Sequence, residues 1–108
     1  MTPRLLIASL LLAATPAFAQ QAAKPPPPCM SEQHRQFDFW VGEWDVSDPA
    51  GKPVGRSRIE SRLGQCVVHE HWFGAGGTVG ESFNIRNADT GQWEQFWVDN
   101  GGNRLHLK

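Results

Sequence analysis

The sequence predicts an all-β protein in which an antiparallel meander follows one short helix. The main observation is that turn-forming residues recur regularly after residue 41, in stretches such as Asp48–Pro53 and Asn100–Asn103. No segment between these turns has the length and periodicity of an α-helix. Short strands joined by tight turns at this spacing are typical of antiparallel meanders. The predicted strands span residues 42–48, 54–63, 66–73, 78–86, 92–99 and 104–108.

The short helix is predicted just before the first strand. Ser31 is a suitable N-cap, and Glu32 places an acid in the first turn, where the helix dipole favours it. Gly42 ends the helix and begins the first strand.

The second strand has the clearest alternation of the six. One face carries Arg56, Arg58, Glu60 and Arg62, and the other carries the odd-numbered residues, including Ser57 and Ile59. This period of two predicts a sheet with one solvated face. The third and fifth strands mix polar and apolar residues on both faces, so their pattern alone does not indicate which face points inward.

Six strands predict an open sheet rather than a closed barrel. Closing a barrel takes about eight strands, and the alternation of the last strand continues to Lys108. Two alternatives follow: the chain is a truncated piece of a longer barrel, or another chain pairs with the open edge and forms an oligomer.

The N-terminal residues predict export to the periplasm or secretion. Residues 1–19 have the form of a signal peptide, with Arg4, a short apolar run and a small-residue cleavage site at Ala17–Ala19. Residues 20–30 then form a proline-rich tether, and residues 31–108 form the folded domain. The apolar run is too short for a stable membrane span, so we expect none after cleavage.

The charge is almost balanced, with 10 Lys and Arg against 11 Asp and Glu. The arginines are interleaved with acids, which argues against nucleic acid as a partner. The sequence also has no phosphate-binding loop, dinucleotide fingerprint or Cys-x-x-Cys pair, so nucleotide enzymes and zinc ribbons are excluded.

The two cysteines predict a disulfide. An even cysteine count in an exported chain favours a Cys29–Cys66 bond, and two independent buried thiols are the alternative. The bond would close a loop of about 37 residues and stabilise the fold by roughly 3–4 kcal/mol.

Several motifs together resemble a known family. They are "HRQFDFWVGEWDV", "GRSRIE", "CVVHEHW", "GTVGESFN" and "GQWEQFWVDNGG", and they cover residues 34–108. The chain resembles a family of exported bacterial proteins with an FDFWxGxWDV motif, classified as a domain of unknown function. The resemblance implies a lipocalin-like (calycin) β-barrel, here incomplete, because family members continue through further strands.

The same resemblance assigns a role to the first tryptophans. Gly42-Glu43-Trp44 is similar to the Gly-x-Trp that opens the first strand of lipocalins. By that similarity Trp44 is a structural plug at one end of the barrel, and Trp40 packs beside it.

The resemblance also implies an inward-facing set of side chains. Tryptophans would supply flat apolar walls, and amide and carboxylate groups would orient a small, partly polar ligand. The alternative is a filled core in which these polar groups satisfy one another. The set is Glu70, Trp72, Ser82, Asn84, Trp93, Gln95 and Trp97.

His69 and His71 are weak candidates for a metal site. Histidines two apart on a strand can chelate zinc or copper, and His106 or Glu81 could supply a third ligand. However, if Glu70 and Trp72 face inward, the two histidines face water. We therefore expect an exposed histidine pair with no metal, and the sequence assigns no cofactor.

These observations favour an exported small-molecule-binding protein whose ligand the sequence does not define. An enzyme on the same barrel is the alternative, either metal-dependent or using Glu70 with Asp99 or Glu94 as an acid/base pair. That alternative is less favoured, because Ser82 does not stand in a Gly-x-Ser-x-Gly motif. An interaction module that pairs through its open edge is the third hypothesis.

Overall fold

The computed structural model of the protein describes residues 1–3, 8–14 and 24–108. Within these residues, six strands form one antiparallel sheet in the order β1-β2-β3-β4-β5-β6. The predicted all-β meander is thus confirmed. The strands are β1 (Gly42–Ser47), β2 (Pro53–Arg62), β3 (Val67–Gly74), β4 (Val79–Arg86), β5 (Trp93–Asp99) and β6 (Arg104–Leu107).

Three of the hairpin turns begin with an Asp or Asn whose side chain holds the turn. The Oδ1 atom of Asp48 accepts hydrogen bonds from the backbone N–H groups of residues 50 and 52. Asn87 and Asp99 do the same for the residues that follow them. These side-chain oxygens accept hydrogen bonds from backbone N–H groups that come within reach only when the chain turns. The chain therefore turns where the sequence predicts.

The sheet is not closed into a barrel. Among the described residues β1 pairs only with β2, and β6 pairs only with β5, so both are edge strands. This agrees with the six strands predicted from the sequence.

Alternation along the strands gives the sheet two different faces. One carries Trp44, Trp72, Trp93 and Trp97, and we call it the tryptophan face. The other carries His69, His71 and His106, and we call it the histidine face. The arginines of β2 also lie on the histidine face, as its alternation predicts.

The core lies on the tryptophan face. Ile59 and Val68 are its apolar members, at 2 % and 4 % exposure. Beside them lie polar residues that are just as buried, including Ser82 at 0 %. Buried polar groups need hydrogen-bond partners, so this core must contain a polar network.

The predicted short helix is present as two consecutive 3₁₀ turns, Glu32–Arg35 and Asp38–Trp40. Ser31 is the N-cap, as predicted, and its side chain accepts a hydrogen bond of 3.4 Å from the backbone of His34. The turns pack on the tryptophan face, where the ring of Phe37 meets Trp93 edge-on with centroids 4.9 Å apart.

A disulfide and an arginine join the N-terminal segment to the sheet. Cys29 and Cys66 are bonded, with their Cα atoms 5.0 Å apart. Arg35 donates 2.7 Å hydrogen bonds to the carbonyl oxygens of Cys29 and Gln65, so it spans both sides of the bridge. These contacts also hold the β2–β3 turn, in which Leu63 and Gln65 have positive φ values of 53° and 65°.

Much of the predicted signal peptide and part of the tether lie outside the described residues, at 4–7 and 15–23. In the part of the chain that is described, no helix is long and apolar enough to cross a membrane.

Candidate functional site

The structure brings all seven predicted ligand-binding residues onto the tryptophan face. Glu70, Ser82 and Trp97 lie side by side across β3, β4 and β5. Asn84 and Gln95 form the neighbouring row. Trp93 is the first residue of β5, two positions before Gln95, and Trp72 stands two positions after Glu70 on β3.

Four of these residues form one hydrogen-bond network centred on Ser82. Its Oγ atom donates to Glu70 Oε1 at 2.7 Å and accepts from Asn84 Nδ2 at 2.9 Å and Gln95 Nε2 at 3.2 Å. Asn84 Nδ2 also donates to the carbonyl of Val68 at 3.0 Å. A hydroxyl has one donor and two acceptor positions, so every hydrogen-bonding position of the Ser82 hydroxyl is used. The network therefore fixes the side chains of Glu70, Asn84 and Gln95.

The network leaves acceptors for a further group. Within the described residues, the side-chain oxygens of Asn84 and Gln95 accept no hydrogen bond, and neither is a buried unsatisfied atom. The arrangement is thus a partly self-satisfied core, as one alternative predicts, with two amide oxygens remaining at its surface.

A cavity of about 400 Å³ adjoins these two amides. It lies between the 3₁₀ turns and strands β4 to β6, and most of its lining is apolar. Three of the seven predicted residues reach it. Its lining is Phe37, Phe39, Trp40, Asn84, Trp93, Glu94, Gln95, Leu107 and Lys108.

Trp93 is a wall of this cavity that the N-terminal segment holds in place. Its Nε1 atom donates to Gln36 Oε1 at 3.0 Å, and Phe37 packs against its ring. Since both partners lie between the two 3₁₀ turns, the N-terminal segment positions the wall of the cavity as well as covering it.

Trp72 and Trp97 do not line the cavity. Trp72 lies over Gly55, where an added Cβ would be 2.5 Å from its Cζ2 atom. Trp97 lies over Gly80 in the same way, and its Nε1 atom donates to Asp99 Oδ2 at 3.0 Å. Both rings therefore pack on the sheet, and a ligand role for them stays a prediction.

Trp44 and Trp40 are joined as the sequence suggests. Trp44 Nε1 donates to the backbone oxygen of Trp40 at 2.7 Å. Trp44 is 44 % exposed, because the open sheet does not enclose it, and its role as a plug stays a prediction.

The carboxylates proposed as acid/base partners of Glu70 are engaged elsewhere. Glu94 lies on β5, and its side chain is hydrogen-bonded to Asn87 and His106. Both bonds lower the pKa of Glu94, and the bond from Asn87 has the larger effect. Asp99 accepts from Trp97 and from the backbone of the β5–β6 turn, and these bonds hold its pKa below the ordinary value. Within the described residues neither carboxylate is hydrogen-bonded to Glu70.

The histidine face contains a cluster of four ionisable side chains. Glu81 Oε1 lies 2.8 Å from His69 Nε2 and 3.3 Å from His71 Nδ1. Glu60 Oε2 lies 4.0 Å from His71 Nε2. The prediction that both histidines face water is wrong, since His69 is only 7 % exposed. Its ring is covered by Phe83, stacked at 4.4 Å, and by His71 at 4.0 Å.

Glu60 connects this cluster to the arginines of β2. It accepts a hydrogen bond of 3.2 Å from Arg62 and forms an ion pair with Arg58, whose Nε atom lies 2.9 Å from Glu60 Oε1. The hydrogen bond from Arg62 is the main cause of the lowered pKa of Glu60, and the charge of Arg58 adds to it.

Sequence reasoning missed Glu60 and the aromatic lining that the 3₁₀ turns supply. The signal for Glu60 was present, because a hairpin centred on Gly64–Gln65 places it opposite His69, as observed. No comparable signal exists for Phe39, since local pattern does not show which distant strand a turn covers.

Comparison of the chain with protein-family models, with curated proteins and with solved structures finds no match.

Proposed function

We propose that the protein is an exported, lipocalin-like binding protein that takes a small, planar, partly polar molecule on its tryptophan face. The cavity beside Asn84 and Gln95 is the observation that carries this proposal. Its volume of about 400 Å³ lies within the usual range for small-molecule sites, which are mostly apolar with a few placed polar groups.

The free acceptors define the ligand further. The amide oxygens of Asn84 and Gln95 can accept hydrogen bonds, while Trp93 and the ring of Phe39 offer flat apolar surfaces. A ligand with an aromatic or heterocyclic body and an N–H or O–H donor at its edge fits this chemistry. The disulfide supports an exported location, because such bonds persist in oxidising compartments.

A fluorescence titration with 1-anilinonaphthalene-8-sulfonate tests the site. This planar probe has an aromatic N–H donor and brightens when it leaves water. We expect Trp93→Leu to weaken its binding about tenfold, because the substitution removes the main aromatic wall, a loss of about 1.4 kcal/mol. Phe96→Leu is the matched control on the same strand, since Phe96 is exposed on the histidine face. Equal loss in the two variants, or no binding at all, would contradict the proposal.

Native mass spectrometry of protein purified from its natural compartment tests for the natural ligand. We expect a retained mass of small-molecule size that is lost on denaturation. A bare monomer would instead support the filled core, and a bare dimer would support pairing through the open sheet edge.

The acid/base enzyme has less support. Its proposed carboxylates are bonded to other groups, and Glu94 binds His106 on the histidine face rather than Glu70 on the tryptophan face.

A further inference from the structure

The histidine face contains the same three-residue arrangement twice. His69 on β3 stacks on Phe83 at 4.4 Å, and its Nε2 atom lies 2.8 Å from Glu81. His106 on β6 stacks on Phe96 at 4.3 Å, and its Nε2 atom lies 2.8 Å from Glu94. In each case the glutamate stands two residues before the phenylalanine, and the histidine pairs directly opposite that phenylalanine.

Among the described residues, only the first arrangement has a further histidine and a further carboxylate beside it. His71 places its ring 4.0 Å from that of His69, and Glu60 approaches from β2. Potential ligand atoms of Glu60, His69 and His71 all lie within 4.8 Å of one another.

One nitrogen of this cluster has no partner. His71 Nε2 is buried and, among the described residues, forms no hydrogen bond. Buried polar atoms are rarely left unpaired, so an orphan of this kind calls for a bound water or ion. It lies 4.0 Å from a carboxylate oxygen of Glu60, which is beyond hydrogen-bond reach.

Glu81 determines which nitrogen of His69 is free. A carboxylate only accepts hydrogen bonds, so its 2.8 Å bond requires a proton on His69 Nε2. In a neutral ring the Nδ1 atom of His69 then carries a lone pair. A carboxylate that holds one ring nitrogen while the other binds a metal is the usual support for metal-binding histidines.

We propose that Glu60, His69 and His71 bind one divalent transition-metal ion such as Zn²⁺, with Glu81 as the positioning residue. Two imidazoles and one carboxylate suit zinc and its neighbours, whereas Ca²⁺ and Mg²⁺ prefer oxygen ligands alone. Ligand distances to zinc of about 2.0–2.2 Å require the three side chains to draw closer by small rotations. The site lies on the opposite face from the cavity, so it does not depend on the proposed function.

The arginines beside Glu60 oppose the ion. Arg58 and Arg62 both bind this carboxylate, and each places a positive charge near the site. The cluster therefore binds zinc more weakly than its ligands alone allow, and removal of one arginine strengthens binding.

Calorimetric titration of the untagged full chain with zinc tests the proposal. We expect one ion per chain, with affinity reduced at least about 100-fold in His69→Ala and His71→Ala. Glu81→Gln reduces it about 10- to 100-fold, as expected for a supporting carboxylate, and Arg62→Gln raises it several-fold. His106→Ala is the matched control, because it disrupts the second His–Phe–Glu arrangement and leaves zinc binding unchanged.

The imidazole ¹⁵N NMR signals of the unaltered chain provide a second test, which does not depend on whether any variant folds. Zinc should shift the signals of His69 and His71 and leave those of His34 and His106 in place. Absence of binding, unshifted signals for His69 and His71, or an equal loss of affinity in His106→Ala would overturn the site.

Discussion

The ring of Trp97 lies so close to Gly80 that a methyl group there would collide with it. An added Cβ would be 2.2 Å from two atoms of the ring. We expect Gly80→Ala to displace the ring and to lower the free energy of unfolding by about 1–3 kcal/mol, as overpacking typically does. Urea denaturation followed by far-UV circular dichroism gives the stability, and tryptophan emission reports the displaced ring.

Gly76→Ala is the control for this substitution. A Cβ at Gly76 meets no atom within 4 Å, so its stability and emission should match those of the unaltered protein. A Gly80→Ala variant that is as stable as this control would mean that Trp97 moves aside without cost.

Asp99 makes the β5–β6 turn sensitive to acid. Hydrogen bonds from Trp97, Asn103 and Gly101 lower the pKa of this carboxyl in the folded state. The unfolded chain then binds the proton more tightly, so the contribution to stability is complete above the ordinary aspartate pKa of about 3.9 and is lost as the pH falls through the lower folded value. We expect Asp99→Asn to lower Tm at pH 7 and to reduce the fall in Tm below about pH 4.

Thermal melts across this range check the prediction. Asp89→Asn is the control, since Asp89 takes part in its turn through its backbone N–H rather than through its carboxylate. Parallel Tm curves for the unaltered protein and Asp99→Asn below pH 4 would contradict the assignment.

At the level of elements, turn chemistry made the strands predictable. Each hairpin is centred on a turn that the sequence indicates, so the strand limits follow from local residues to within one residue, and the register follows except at the irregularity between Val46 and Ser47. The alternation of β2 also predicted its solvated face correctly. These features depend on neighbours in the sequence, which is why they could be predicted from it.

The environment of β3 was harder to predict. His69 and His71 alternate with Glu70 and Trp72, so polarity alone does not distinguish the two faces. His69 is buried because Phe83 stacks on it from the next strand and Glu81 binds its ring. Such contacts depend on cross-strand pairs, and a prediction based on one strand at a time does not include them.

The helix was predicted at the right place but not in its final form. Phe37 has φ −107° and ψ 12°, outside the helical range, and it separates the two 3₁₀ turns. Its ring packs edge-on against Trp93, more than fifty residues away. Tertiary packing thus determines the conformation here, and for the same reason the sequence did not indicate that these turns line the cavity.

At the level of the whole molecule, the Cys29–Cys66 disulfide cross-links the N-terminal segment to the end of the sheet at the β2–β3 turn. It closes a loop with a sequence separation of 37 residues, and reduction should therefore lower the free energy of unfolding by roughly 3–4 kcal/mol. Urea denaturation with and without a phosphine reductant measures this difference.

A variant with alanine at both cysteines is the control for reduction. The reductant should leave its unfolding midpoint unchanged, and its stability should match that of the reduced natural protein. A natural protein whose midpoint does not respond to reduction would show that Arg35 and the packing of Phe37 hold the segment without the bond.

The alternation of residues 69–71 affects how this sequence can change in evolution. Consecutive residues of β3 serve opposite faces, with His69 and His71 on one and Glu70 on the other. Because the side-chain period is two, inserting or deleting one residue here would reverse the faces of every later residue in the strand. A change of this kind before His69 would move Glu70 out of the polar network and both histidines out of their cluster. We expect β3 to diverge among descendants by substitution, with length changes confined to the turns at either end.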